Sequence, residues 1–167
     1  MTLRSLHSLA WFFSLRTLVM GVLLALSACA GRSGLAPVSD FGRPTTLSCV
    51  PYARDVSGID LYGDACNWWG EAAGIYPRAH HPRVGAVLVL KSQWPMVLGH
   101  VAVVTHIDSQ REVLVTQANW LPGRIEQDVP VVDVSRWNNW TRVRVWYAPA
   151  HALGVTIYPA YGFILPN

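Results

Sequence analysis

Three polar residues, each at the end of a predicted element, have the types that cysteine-based chemistry requires. Cys49 follows a Thr-Leu-Ser stretch, His100 opens an apolar run, and Asn119 ends the next one. A thiol beside an imidazole that can take its proton becomes a nucleophile, and an amide can hold the imidazole in place. These residues are therefore the chain's best candidates for a catalytic centre.

Pro51 indicates where the helix that carries Cys49 begins. Proline is tolerated only in the first turn of a helix, so the predicted helix, residues 47–56, starts near Ser48 and ends near Gly58. Cys49 then lies in the first turn, where unpaired N–H groups and the helix dipole favour an anion. We therefore expect the pKa of the Cys49 thiol to lie below its ordinary value, and expect the same N–H groups to stabilise an oxyanion.

A polar turn predicts a hairpin that returns the chain to His100. If the turn spans residues 108–111, His100 lies opposite Asn119, and if it spans only residues 108–109, His100 lies opposite Gln117. In both registers Gln117 and Asn119 share the face of His100, because side chains alternate along a strand. Either amide can accept a hydrogen bond from the imidazole and fix its tautomer.

The wider pattern is two helices followed by a series of strands. The second helix is predicted over residues 64–73, with Asp64 as its N-cap and Gly74 just past its end. This order indicates an α+β fold in which N-terminal helices pack on an antiparallel sheet. The predicted strands are residues 84–90, 100–107, 113–118, 129–134 and 141–147.

The amino terminus has the features of an export signal. Residues 17–30 form an uncharged apolar run that suits a signal peptide and is too short for a membrane-spanning helix. The sequence Leu26-Ser-Ala-Cys29 resembles the bacterial lipobox, which implies cleavage before Cys29 and lipid on its sulfur; ordinary secretion, with cleavage after Ala28 or Ala30, is the alternative. We expect an exported protein of the bacterial cell envelope, anchored to a membrane by lipid, or periplasmic or secreted without it.

A domain organisation follows from these boundaries. The tail after residue 150 is apolar but broken by glycine and proline, so it predicts no defined element. The predicted organisation is a signal peptide over residues 1–28, a tether over 29–44, a catalytic domain over 45–150 and a tail packed on or near the domain over 151–167.

Charge argues against a nucleic-acid partner. The chain has 13 Lys and Arg against 10 Asp and Glu, a net charge of +3. Arg4 and Arg16 lie within the signal peptide, so 11 basic residues and a net charge of +1 remain after its removal. No basic cluster marks a binding face, and we expect no nucleic acid to bind.

Other catalytic and cysteine chemistries have weaker support. A disulfide between Cys49 and Cys66 is the alternative for an exported pair, but it would block the thiol, so we expect Cys66 to be a buried small hydrophobe. No Gly-x-Ser-x-Gly sequence indicates a serine hydrolase. His80 and His81 are adjacent, and no metal-binding motif accompanies them, so we expect neither a metal nor an organic cofactor.

The chain resembles the CHAP domains (cysteine, histidine-dependent amidohydrolase/peptidase), a family of papain-like amidases. The resemblance covers about residues 47–120 and implies a papain-like α+β fold. It is carried by six segments in the family's order: Cys49–Arg54, Ser57–Ile59, Gly63–Ala65 with Trp68-Trp69, Pro82–Ala86, Gly99–Val103 and Gln117–Trp120.

The resemblance also implies roles and a substrate. Cys49 is the nucleophile, His100 the general base and then acid, and Asn119 the residue that orients it. The family's usual substrate is the peptide portion of peptidoglycan, cut by an N-acetylmuramoyl-L-alanine amidase or an endopeptidase. Two residues depart from the pattern: Gln117 stands where many members have glutamate, which weakens stabilisation of an imidazolium, and Ala86 stands where aspartate is common.

Two aromatic residues are candidates for substrate contact. Tyr52, one turn after Cys49, is expected to face the cleft with its hydroxyl towards substrate. Trp120 either shields the histidine from water or forms a wall of the cleft. Two other functions remain open: an amidase of another small amide, and a noncatalytic envelope lipoprotein that binds wall peptide, an alternative that the uncharged Gln117 favours.

Overall fold

The computed structural model describes residues 42–167, which are mostly β, with 40% of them in strands and 15% in helices. The strands are β1 (Arg43–Pro44), β2 (Arg78–Ala79), β3 (Val87–Leu90), β4 (His100–Ile107), β5 (Glu112–Ala118), β6 (Arg124–Asp133), β7 (Arg142–Tyr147), β8 (Ala152–Leu153) and β9 (Tyr158–Ile164). The helices are α1 (Cys49–Ser57) and α2 (Trp68–Glu71), with 3-10 turns at Ala65–Asn67 and Ala148–Ala150.

Six strands close into an antiparallel barrel. Their order is β6-β5-β4-β3-β9-β7, and a further pairing of β7 with β6 closes the ring. The predicted α+β, papain-like class, with N-terminal helices packed on an antiparallel sheet, is therefore wrong. The physical reason is twofold: β9 joins β3 to β7 and removes the open edges of the sheet, and the helices, of nine and four residues, are too short to form a layer.

Alternation along β3 and β4 divides the apolar side chains between two packed clusters. One cluster lies among the barrel strands and includes Leu88, Leu90, Ala102, Val104, Val115, Val131, Val145 and Phe163. The other joins the opposite faces of β3 and β4 to the helices and includes Val87, Val89, Val101, Val103, Ala53 and Trp68. Because side chains alternate, His100 shares the face of Ala102 and Val104.

Helix α1 begins close to its predicted start. Ser48 is its N-cap residue, although the Ser48 side chain makes no capping hydrogen bond, and Pro51 lies in the first turn. Gly58 ends the helix in the left-handed conformation, with φ of 73°, and its N–H donates to the Arg54 carbonyl. These local signals set the position of Cys49 as the first residue of the helix.

The β4–β5 hairpin has a register that the sequence did not predict. At the turn Ile107 pairs with Val113, so both predicted registers are wrong there. A β-bulge after Val104 shifts the ladder by one residue, and Val103 then pairs with Thr116. Beyond the bulge the strands align as in the wider-turn prediction, which directs the start of β4 towards the end of β5.

The predicted signal peptide, Cys29 and most of the predicted tether lie outside the described residues. The last two residues of that tether, Arg43 and Pro44, form β1 and pair with Ile125 and Arg124 of β6. Within residues 42–167, neither helix has the length and hydropathy needed to cross a membrane.

Candidate active site

A cavity of about 580 Å³ lies between the start of α1 and the start of β4, and both Cys49 and His100 line it. Such a cavity, with mostly apolar walls and a few polar groups, is typical of a small-ligand site. Its other lining residues are Ser48, Val50, Gly63, Asp64, Ala65, Pro95, Met96, Leu98, Gly99, Asn119, Trp120, Pro122, Tyr147 and Tyr158.

The Cys49 thiol is free and half-buried. Burial raises the pKa of this thiol above its ordinary value, and hydrogen bonds from the backbone N–H groups of Val101, Val50 and Cys49 itself lower it by a smaller amount. The prediction that the helix start lowers the thiol pKa is therefore wrong in net direction, because desolvation outweighs the N–H groups. At neutral pH the sulfur is protonated, with donors already placed around it.

His100 is buried, and a neighbouring amide holds its ring. His100 Nε2 lies 3.0 Å from Gln117 Oε1. Burial lowers the pKa of His100 to about 4, and the hydrogen bond that the ring donates to Gln117 opposes that shift only in part. The ring is therefore neutral at pH 7, and because Gln117 Oε1 can only accept, Nε2 carries the proton. Nδ1 is left as the nitrogen that can take a proton from the thiol.

Gly99 fixes the entry into β4. Its φ is 71°, and an added Cβ would lie 2.7 Å from the Leu90 carbonyl oxygen and 2.9 Å from the Cys66 nitrogen. The adjacent Leu98 carbonyl accepts a 2.9 Å hydrogen bond from the Cys66 N–H. Only glycine combines this conformation with this approach, and the fit determines where His100 begins the strand.

Cys66 is not joined to Cys49. Both are free thiols, and the Cys66 sulfur lies 3.7 Å from Asn67 Oδ1, to which it donates. Cys66 is half-buried rather than fully buried as predicted. The disulfide alternative is thereby removed, and the Cys49 sulfur is available to substrate from the cavity.

Of the two candidate amides, Gln117 is the one that contacts the imidazole. Gln117 is 1% exposed. Asn119 lines the cavity, but its backbone has a positive φ of 61° and its Oδ1 accepts a 3.0 Å hydrogen bond from the Gly123 N–H. Asn119 thus stabilises the turn after β5, and its orienting role, implied by the family resemblance, stays a prediction.

Trp120 both covers the histidine and forms a wall of the cavity. Its ring meets that of His100 edge-on, with centroids 5.1 Å apart. The Trp120 ring also meets that of Tyr158 edge-on, with centroids 5.0 Å apart. The sequence presented shielding and lining as alternatives, and the geometry combines them. Tyr158 was missed because Pro159 follows it and masks the strand pattern of β9.

Tyr52 does not face the cavity, and the prediction that it does is wrong. The side chain is 6% exposed, and its hydroxyl lies 2.7 Å from Thr116 Oγ1 of β5. Thr116 Oγ1 also donates to the Glu126 carbonyl, at 3.1 Å. Tyr52 therefore fastens α1 to the barrel, because the face of the helix that carries Tyr52 and Ala53 packs against the strands.

Charged groups are few in the cavity. Among the described residues that line it, Asp64 is the one carboxylate, and it is exposed. Within residues 42–167, no cluster of three or more His, Cys, Asp or Glu side chains is suited to hold a metal ion.

The fold and the site define a protein with a thiol and an imidazole in one cavity of an antiparallel barrel, the pair of groups found in nucleophilic hydrolases. Residues 38–119 match the family model for the CHAP domain, the family that the sequence resembles. The family is generally one of hydrolases of the amidase type, and the match indicates amidase- or peptidase-type activity on peptidoglycan. A search of curated proteins found no match.

Proposed function

We propose that the protein is a cysteine-dependent amidase or endopeptidase that cleaves amide bonds in peptidoglycan peptides. The observation that carries the proposal is the shared cavity of Cys49 and His100, with Gln117 holding the imidazole. The CHAP domain match supports the reaction class and the type of substrate.

The first half of the reaction is acylation of the sulfur. Nδ1 of His100 takes the proton of the Cys49 thiol as the sulfur attacks the carbonyl carbon, and a C–S bond forms. The carbonyl oxygen becomes an oxyanion, and the N–H groups of Cys49 and Val50 in the first turn of α1 are candidate donors to it. The C–N bond then breaks, the imidazolium gives its proton to the leaving amine, and a thioester remains.

The second half returns the enzyme to its resting state. Water attacks the thioester carbonyl while His100 Nδ1 takes a proton from it. The C–S bond breaks, the imidazolium returns its proton to the sulfur, and the product leaves as a carboxylic acid. The base is used twice and its tautomer must be the same each time, which gives the hydrogen bond to Gln117 a continuous role.

Digestion of purified peptidoglycan tests the proposal. The full-length protein and its Cys49→Ala and Cys66→Ala variants are incubated with walls of several peptide types, and the fragments are identified by mass spectrometry. We expect release by the wild type and by Cys66→Ala, and none by Cys49→Ala. The new termini distinguish an amidase from an endopeptidase, and release that persists in Cys49→Ala would refute the proposal.

A second candidate function is noncatalytic binding of wall peptide in the same cavity. The observation that favours it is the electrostatics: the pKa of the thiol is raised, that of His100 is lowered, and Gln117 carries no charge. Sedimentation with insoluble peptidoglycan separates the two functions. Equal binding by the wild type and Cys49→Ala, with no fragments from either, identifies the binding protein.

We also propose that the protein is exported and held at a bacterial membrane through lipid on Cys29. The support is the lipobox-like sequence that ends at Cys29. Cell fractionation of the wild type and Cys29→Ser tests this. We expect the wild type in the membrane fraction and the variant outside it, and an unchanged distribution would contradict the anchor.

A further inference from the structure

Gln117, which contacts His100, and Glu126, its partner in the sheet, are buried side chains that each have one polar atom without a partner in the described part of the chain. Gln117 Oε1 is bound to the imidazole, but among the described residues Gln117 Nε2 meets no hydrogen-bond acceptor. Glu126 is 1% exposed, and its Oε2 accepts from the Leu121 N–H at 3.2 Å. Its Oε1 has no donor within residues 42–167. Unsatisfied buried polar atoms are costly, so the two atoms call for a common explanation.

The β5–β6 ladder places these two residues side by side. Gln117 and Glu126 are direct partners in the register, and direct partners point their side chains to the same face of the sheet, with Cβ atoms about 5 Å apart. One unsatisfied atom is an N–H donor and the other is a carboxyl oxygen. The structure shows no hydrogen bond between these two atoms, but each residue supplies the group that the other lacks.

We propose that Glu126 is a positioning residue for the reaction proposed above, accepting a hydrogen bond from Gln117 Nε2 and so fixing which end of the amide faces His100. Its catalytic meaning rests on the proposed hydrolase function. Leu121 holds the Glu126 carboxyl group in turn, so the connection runs from a backbone N–H on the β5–β6 turn to the imidazole.

The orientation of the amide decides whether the imidazole can act as a base towards the thiol. With Gln117 Nε2 held by the carboxylate, the amide oxygen faces His100 Nε2 and the ring proton stays there. If the amide turned over, its N–H would donate to His100 Nε2, and the ring proton would move to Nδ1. Nδ1 could then no longer take a proton from Cys49.

The tautomer of His100 is the direct test. Two-bond ¹H–¹⁵N NMR spectra are recorded at pH 7 on the full-length protein with ¹⁵N-labelled histidine, and His100→Gln identifies the His100 signals. We expect the wild type to carry the proton on Nε2. In Glu126→Gln we expect the oxygen of the new amide to accept from the Leu121 N–H and its NH₂ group to face Gln117. The Gln117 amide then turns over, and the proton of the His100 ring moves to Nδ1. We expect kcat to fall on the order of 100-fold, the share of a general base, with KM little changed.

A rescue variant separates positioning from simple structural support. In the double variant Gln117→Glu with Glu126→Gln, the carboxylate at position 117 accepts from both the ring and the new amide. We expect this variant to return the proton to Nε2 and to recover most of the lost kcat. A residue that only supported the fold would not be rescued by exchanging the two groups.

Asp133→Asn is the matched control, because Asp133 is a carboxylate at the other end of β6 that is 2% exposed. We expect it to lower the melting temperature and leave the His100 tautomer unchanged. A wild-type tautomer in Glu126→Gln would overturn the inference, whatever the effect on activity. A tautomer that changes as expected in a protein that cleaves no peptidoglycan would support the positioning by Glu126 and refute the hydrolase function alone.

Discussion

The burial of His100 makes the stability of the protein depend on pH in a way that one substitution removes. The pKa of His100 falls from its ordinary value of 6.5 to about 4, chiefly through desolvation. Between these two pH values the unfolded chain binds a proton at His100 that the folded chain does not. The free energy of unfolding therefore falls as the pH falls through this range.

The expected size follows from the shift. One pKa unit corresponds to about 1.4 kcal/mol, so protonation of His100 should cost the wild type about 3 kcal/mol of stability between pH 7 and pH 4. In His100→Gln this contribution is absent. Burial also raises the pKa of Glu126. This shift stabilises the folded state at pH values below the ordinary pKa of a glutamate, and the stabilisation is lost as the pH rises. That opposite contribution is common to both proteins and cancels in the comparison to first order.

Urea unfolding at pH 7 and pH 4, with tryptophan fluorescence as the probe, measures this pH dependence of stability. We expect the stability of the wild type to fall by about 3 kcal/mol more than that of His100→Gln over this interval. His106→Gln is the matched control, since His106 lies on the same strand but is exposed, and it should follow the wild type. Parallel pH dependence in the wild type and His100→Gln would refute the argument that a buried neutral imidazole is the cause.

Three further predictions concern the surroundings of the site. Because burial raises the pKa of Cys49, iodoacetamide at pH 6 should label Cys49 more slowly than it labels a small thiol. The labelling rate is measured in a Cys66→Ser variant, and faster labelling of Cys49 would contradict the raised pKa. Gly58 and Gly99 have nearly equal positive φ, but of these two an added Cβ is crowded only at Gly99. In urea unfolding, Gly58→Ala should lower the free energy of unfolding by about 1–2 kcal/mol, and Gly99→Ala should lower it by more than about 3 kcal/mol and abolish activity. Equal losses of stability would show that the contacts of Gly99 are unimportant. Tyr52→Phe should lower stability by about 1 kcal/mol and leave KM unchanged, whereas a raised KM would return Tyr52 to the substrate site.

The strands before residue 148 were largely predictable, whereas the closure of the barrel was not. Strand β4 coincides with the predicted residues 100–107, because an apolar run between a glycine and a polar turn is a clear strand signal. Strand β9 contains Pro159 and Gly162, residues that usually end strands. Its register against β3 shifts between Gly162 and Ala160, and a Cβ at Gly162 would lie 2.5 Å from the Ala79 carbonyl oxygen. The glycine that concealed the strand is thus a requirement of the packing around it.

The second helix illustrates a different limit of the sequence pattern. The predicted helix over residues 64–73 is a 3-10 turn, Ala65–Asn67, followed by four residues of α2. Trp68 is fully buried there and Leu98 accepts from the Cys66 N–H, so contacts with the loop before β4 shape this segment. Local helix signals located the segment, but tertiary contacts determined its geometry.

The residue types of the site were predictable from local signals, while their electrostatics depended on neighbours distant in the chain. Helix-start chemistry around Cys49 predicted a lowered thiol pKa, and the N–H donors are present as expected. Desolvation reverses the net direction, and it arises from the packing of α1 on β4, which no local pattern reports. Likewise, alternation placed Gln117 and Asn119 on the face of His100, but the bulge in the hairpin and the turn at Asn119 decided which amide reaches the ring.

An uncharged partner for the histidine is consistent with the rest of this site. A glutamate at position 117, in a place that is 1% exposed, would have to ionise in the interior, and it would raise the pKa of the neighbouring imidazole. With Gln117 the ring stays neutral and remains a base at neutral pH, and the resting pair is a neutral thiol and a neutral imidazole. Charge then develops only as the sulfur attacks, where backbone N–H groups already surround it. The departure from glutamate thus changes when charge separates in the proposed reaction, and leaves both groups that must exchange the proton in place.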